Sequence, residues 1–197
     1  DSWMAGAVNG GSGNFGNGWL WKFVKNLREK NPGIPIDLIN NGYAGGSSFT
    51  SLNLMKAMLQ QSTAVGIPIA MCGTQNDATP SAAVTLTQRQ RLDEMLELWP
   101  YKDYKIITTF GPNTILAWTA QQDSERLRYN EEIKALRSGA VSIVDLGVVG
   151  DGATPERLVT RWTTDTAHPN ENGHSIIADN AATSADPFKF LFPVATN

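Results

Sequence analysis

The sequence predicts an α/β fold, a three-layer α/β/α sandwich on a flavodoxin-like parallel sheet, and three observations predict it. Short branched apolar runs at 34–39, 67–72, 104–109 and 141–146 are the right length for buried strands. Between them lie longer stretches with apolar residues at helical spacing. The runs that end in turn-forming residues lead into polar loops, as parallel strands do where sites form at their carboxyl ends. With 197 residues the chain fits one domain, 1–197, able to bury a core without disulfides or metals.

Taken in order, Trp19 to Lys30 places Leu20, Phe23, Val24 and Leu27 on one helical face, and Asn31-Pro32-Gly33 ends it. Ile34 to Ile39, bounded by Pro-Gly and Asn-Asn-Gly, reads as a buried strand. A helix follows from Phe49 to about Thr63, then a strand from Ile67 to Cys72 that feeds the loop Gly73-Thr74-Gln75-Asn76-Asp77. Next come a helix from about Leu86 to Leu98, a strand from Tyr104 to Thr109 and a helix from Ser124 to Leu136 with Ser124 as its cap. The strand from Val141 to Leu146 is the fourth, and the last helix starts near Pro169, a residue suited to a first helical position. Residues 184–197 hold Pro187, Phe188, Phe190 and Phe192 and read as a tail that closes the domain's own core or packs on a neighbour.

Charged residues make up 18% of the chain, below the roughly 25% usual for soluble domains, and 41% are apolar, which suits a folded body. The net charge is −3, with no run of Lys or Arg that could neutralise a phosphate backbone, so nucleic acid is not an expected partner. One cysteine and two histidines are too few for a structural zinc site, and no metal or cofactor is expected. No stretch approaches the roughly 20 apolar residues of a membrane span. The compartment is open.

Four short blocks carry the chemistry: Asp1-Ser2-Trp3-Met4-Ala5-Gly6, Asn40-Asn41-Gly42-Tyr43-Ala44-Gly45, Asn76 in its loop after a strand, and Asp165-Thr166-Ala167-His168-Pro169-Asn170. Each has an ordinary reading alone: Ser2 as a turn or cap, Gly42 as a turn glycine, Asn76 as a turn former, Asp165 as a cap for the last helix, His168 as a helix-start residue. Together, in this order and each at a predicted strand end or helix start, they resemble the Ser, Gly, Asn and His blocks of the SGNH, or GDSL, hydrolase family. The resemblance spans Ser2 to His174.

It implies acyl transfer to water. A serine hydroxyl needs an imidazole to take its proton, and the imidazole needs a carboxylate to fix its tautomer. The resemblance assigns these roles to Ser2, His168 and Asp165, and the oxyanion hole to the backbone N–H groups of Ser2 and Gly42 with the side-chain amide of Asn76. His174 reads as structural or rim-exposed, and Asp77 as a brace for its loop. The family's acyl donors range from acetylated carbohydrates to lipids, thioesters and aryl esters. Six tryptophans, no long apolar lid and an aromatic beside the nucleophile favour a glycan O-acetyl ester, with Trp3, Tyr43 and Trp162 as substrate contacts. The rival is a carbohydrate-binding module that keeps the fold and has lost turnover.

Three departures from the family pattern stand out. The family places a glycine and a hydrophobic strand before Asp-Ser, whereas this sequence starts at Asp1; an upstream segment or another chain is then expected to complete the sheet. If the start and the Phe-rich tail both contact neighbours, the domain is one piece of a larger secreted or virion-borne assembly. The third block has two residues, Thr74 and Gln75, between Gly73 and Asn76 where the family has one. The loop from Ala5 to Gly18 is rich in glycine but lacks a following Gly-Lys-Ser/Thr, which rejects a phosphate cradle. An N-terminal-nucleophile hydrolase is rejected because residue 1 is aspartate.

Overall fold

The centre of the sheet shows why this sequence makes layers. Along a strand successive side chains point to opposite faces, and Lys105–Thr108 (β2) and Val141–Val144 (β3) are apolar on both, with Ile106, Ile107, Ile143 and Val144 all buried. Such strands need helical cover on each side. The computed structural model describes residues 18–40, 42–43, 45–61, 67, 69–71, 82–100, 103–112, 120–150, 160–163 and 168–185. Within them Ile69–Met71 (β1), β2 and β3 form a parallel sheet in the order β1-β2-β3. Ile69 pairs with Ile106, and Ile107 with Ile143.

One face is covered by α1 (Trp19–Lys30) and α5 (Glu171–Ser184), whose Trp19, Leu20, Phe23, Val24, Leu27, Ile177, Ala178 and Ala181 share a core with Ile106 and Val144. The other face is covered by α2 (Ser48–Gln61), α3 (Ala82–Leu98) and α4 (Ala120–Lys134), through Leu52, Leu92, Met95, Tyr129 and Ile133 around Ile107 and Ile143. Each buried Ile or Leu contributes about 1.5–3 kcal/mol. This is the predicted sandwich.

The boundaries of α1 are those predicted. Asn31 closes it, with its backbone N–H on the Leu27 and Arg28 carbonyls, its side-chain amide donating to the Leu27 carbonyl, and Gly33 at φ 93° turning the chain away. Four expectations need correction. Ile34 to Ile39 is not a strand: Pro35 has no N–H to give a ladder, the Ile36 carbonyl accepts from Arg28 Nε (2.9 Å) and Nη2 (2.5 Å), and Ile39 is 65% exposed. Ile36 and Leu38 nevertheless keep the alternation and pack against the α1–α5 core. Ser124 lies inside α4, exposed, and does not cap it. Asn170, not Pro169, is the turning point into α5, because its side-chain oxygen reaches the Gly173 N–H at 3.0 Å. The fourth strand ends at Val144, since Asp145 caps a 3₁₀ turn over Leu146–Val149. The tail beyond 185 lies outside the described residues.

Candidate functional site

The carboxyl edge of the sheet is built of polar brackets. Past β2, the Phe110 backbone is held at two points by the buried side chain of Asn130 on α4, which accepts from the Phe110 N–H (2.7 Å) and donates to its carbonyl (2.9 Å). Past β3, Asp145 accepts from Thr109 Oγ1 and the Gly147 N–H, each at 2.8 Å, and Thr109 Oγ1 accepts from the Leu146 N–H. A Cβ at 147 would sit 2.9 Å from Asp145 Oδ1, so a larger residue there would push on the carboxylate that its own N–H binds. Lys134 Nζ lies 3.4 Å from Asp145 Oδ2. Burial alone lowers the Lys134 pKa, but the Asp145 and Glu131 carboxylates outweigh it and raise the value above the usual lysine range. Asp145 carries only a weak signal in the sequence, an aspartate two residues ahead of a glycine at a strand end.

The Gly42 block is a closed loop. The Gly42 N–H donates to Asn40 Oδ1 at 2.8 Å, the Gly46 N–H returns to the Tyr43 carbonyl at 2.9 Å, and Gly45 takes φ 76°. Gly46 is buried, and a Cβ there would sit 2.9 Å from the Tyr43 carbonyl. The amide expected to face an oxyanion is thus held by an Asx turn. Tyr43 is 61% exposed beside it. Phe49, in the first turn of α2 and 55% exposed, carries the Arg91 guanidinium 5.5 Å from its ring centre. Nothing in the sequence periodicity singled out that pair.

The His168 block is built from its flanks. Thr163 and Pro169 form an antiparallel bridge, the Asn170 N–H donates to the Trp162 carbonyl at 2.6 Å, and Asn170 Nδ2 donates to the Arg161 carbonyl at 3.0 Å. Gly173 allows this closeness, since a Cβ there would meet the Trp162 carbonyl at 2.8 Å. His168 is half-buried at the entry to α5. Trp162 packs against the α1–α5 core and carries Arg161 at 4.5 Å over its ring, so the group it presents outward is a guanidinium.

His174, the other histidine, is fully buried in the first turn of α5, and its Nδ1 accepts from the Trp19 N–H at 3.2 Å. That bond puts the ring's proton on Nε2. Of the residues expected in the site, Gly42, Tyr43, Trp162 and His168 lie in these two local assemblies, whereas Ser2, Trp3, Asn76 and Asp165 lie outside the described residues. Among the described residues no helix is long and apolar enough to cross a membrane.

Three parallel strands between two helical layers, with loops bracketed at the carboxyl edge, give this chain the fold of the G-D-S-L proteins. It is similar over 93% of its length to 94% of a protein described as lipolytic and of that family from Desulfitobacterium hafniense, at TM-score 0.69 and 17% identity. A lipolytic G-D-S-L protein from Veillonella parvula matches over 93% of both chains, at TM-score 0.60 and 21% identity. A carbohydrate acetylesterase family member from Sinorhizobium meliloti matches 98% of this chain with 96% of its own, at TM-score 0.64 and 16% identity. No protein-family model matches the sequence, and no curated protein matches it.

Proposed function

We propose that this chain is a serine ester hydrolase of the SGNH type that removes small acyl groups, acetyl foremost, from a glycan. The observation that carries the reading is the division of labour between the two histidines. A triad imidazole donates from Nδ1 to a carboxylate and takes the serine proton at Nε2. His174 is barred from that role because its Nδ1 is an acceptor in the core. His168, half-buried on a loop pinned by Thr163–Pro169 and preceded by Asp165, is the base that remains.

In the proposed cycle Ser2 Oγ attacks the ester carbonyl while His168 takes its proton and Asp165 stabilises the imidazolium. The tetrahedral oxygen meets the N–H groups of Ser2 and Gly42 and the amide of Asn76, an arrangement in which each donor is worth on the order of 3 kcal/mol. The Gly42 N–H must share or leave its bond to Asn40 to do so. His168 then protonates the ester oxygen as its bond to the acyl carbon breaks, releasing the sugar as an alcohol. Water, deprotonated by the same imidazole, attacks the acyl carbon, and the imidazolium returns its proton to Ser2 Oγ as the acid leaves. The acetylated-glycan reading is supported by the likeness to the Sinorhizobium acetylesterase family member and by the exposed rings of Tyr43 and Phe49, with Trp3 as a further contact, whereas Trp162 is packed against the core with Arg161 over its ring.

A fluorophosphonate probe tests the chemistry: Ser2 is labelled in the wild type and neither Ser2→Ala nor His168→Ala is labelled, with kcat reduced by about 10⁴-fold or more. A folded wild type that takes no label overturns the reading in favour of a binding module. Acetate release from acetylated glycans, against turnover of acetyl and octanoyl nitrophenyl esters, tests the substrate class; faster octanoyl turnover points to a lipase.

A further inference from the structure

The first amide of α1 has no acceptor within its own helix, and its predecessor, Gly18, has no side chain to supply one. His174 Nδ1 supplies it across 155 residues of sequence. Further ties join the same two helices: Lys22 Nζ donates to Ser175 Oγ at 3.0 Å and lies 3.5 Å from Glu171 Oε1. Buried Ala178 and Ala181 share one core with Leu20, Phe23 and Val24, so the helices meet through small residues that permit close approach. The start of α1 therefore has a fixed place relative to the first turn of α5.

The start of α5 is where the proposed base enters the fold, since His168 stands just before Asn170, the cap of that helix. We infer that His174 is a positioning residue for the proposed hydrolase: by accepting the Trp19 N–H it pins the first turn of α5 against α1, and so holds the His168 imidazole, two residues before the Asn170 cap, in its place. The inference rests on the hydrolase reading. It explains the use of an imidazole in a fully buried first turn, where a side chain must offer an acceptor while filling the volume of a ring. An apolar residue would fill the space and leave the amide without its partner.

The test compares His174→Asn, His174→Gln and His174→Leu with the wild type. Asparagine carries its oxygen where the imidazole carries Nδ1, glutamine carries its amide one atom further out, and leucine has no acceptor. The readouts are the rate of fluorophosphonate labelling at Ser2 and kcat and KM for an acetyl ester, per folded molecule by near-ultraviolet circular dichroism. A misplacement on the order of 1 Å costs about 100-fold in rate, so the Gln and Leu variants are expected to lose about 10- to 100-fold in labelling rate and kcat with KM nearly unchanged. The Asn variant is expected to recover to within about threefold of the wild type by keeping the acceptor. If the Leu variant does not fold, the Asn and Gln pair decides. Wild-type rates in the Gln or Leu variant, or an Asn variant as slow as the Gln one, overturn the inference and leave the hydrolase reading standing. A folded wild type without label sinks both.

Discussion

The two faces of the sheet are held together by different means. On the α2–α4 face the core is aliphatic apart from Phe110 and Tyr129, and the ion pairs among its helices are local, either within one helix, as Arg89 with Asp93 and Arg128 with Glu132, or between the successive helices α2 and α3, as Lys56 with Glu94. On the α1–α5 face the core mixes large rings with alanines, and its helices are joined by hydrogen bonds between residues more than 150 positions apart. The first arrangement ties helices that are neighbours in the chain; the second ties helices from opposite ends of the described residues. The difference teaches that the α1–α5 ties bear on the helix that follows His168, while the core around Ile133 supplies mainly stability.

That contrast can be broken by substitutions on each side. The largest expected effect on stability is Ile133→Ala on the α2–α4 face, a fully buried side chain whose loss costs about 2–5 kcal/mol. Urea unfolding should show that loss while the labelling rate of Ser2 per folded molecule stays at the wild-type value. Ala181→Leu overfills the α1–α5 contact, costs about 1–3 kcal/mol, and should slow labelling as well. Equal labelling in the two variants would erase the distinction between the faces. Asn170→Ala removes the cap on Gly173 and the bond to the Arg161 carbonyl, for a loss of about 0.5–2 kcal/mol, and should lower kcat through the His168 loop.

The smallest effect belongs to Lys134, whose pKa is raised because Asp145 and Glu131 outweigh the effect of burial. A raised folded value means that the pair's stabilisation is complete below the ordinary lysine pKa of about 10.4 and is lost as pH climbs through the folded value. With Lys134 41% exposed, solvent screening limits it to about 0.5 kcal/mol. The urea midpoint of Lys134→Met should trail the wild type slightly at neutral pH and meet it in strong alkali.

Much of this architecture was legible because it rests on periodicity. Leu20, Phe23, Val24 and Leu27 announced α1 to the residue, and the branched runs announced β2 and β3 to within two residues. The misreadings came from partners that sequence spacing does not display. Ile34 to Ile39 has strand composition, but Arg28 occupies a carbonyl a ladder would use. Pro169 suits a first helical turn, yet the side chain of Asn170 reaches the amide that decides where α5 starts. At the candidate site, the Gly42 and His168 blocks stand out in the sequence as motifs, whereas the bond from Gly42 to Asn40, the Arg161 cover on Trp162 and the bond from Trp19 to His174 depend on contacts made only in three dimensions.

The pairing of α1 with α5 also sets a timetable. On the ribosome, Trp19, Phe23 and Leu27 are made well before part of their cover, Ile177 and Ala181. A growing chain carries that greasy stripe without this neighbour until α5 is made, when chaperones have the most to hold. In the proposed hydrolase the base stands just ahead of the same helix, so the site waits for α5 as the core does.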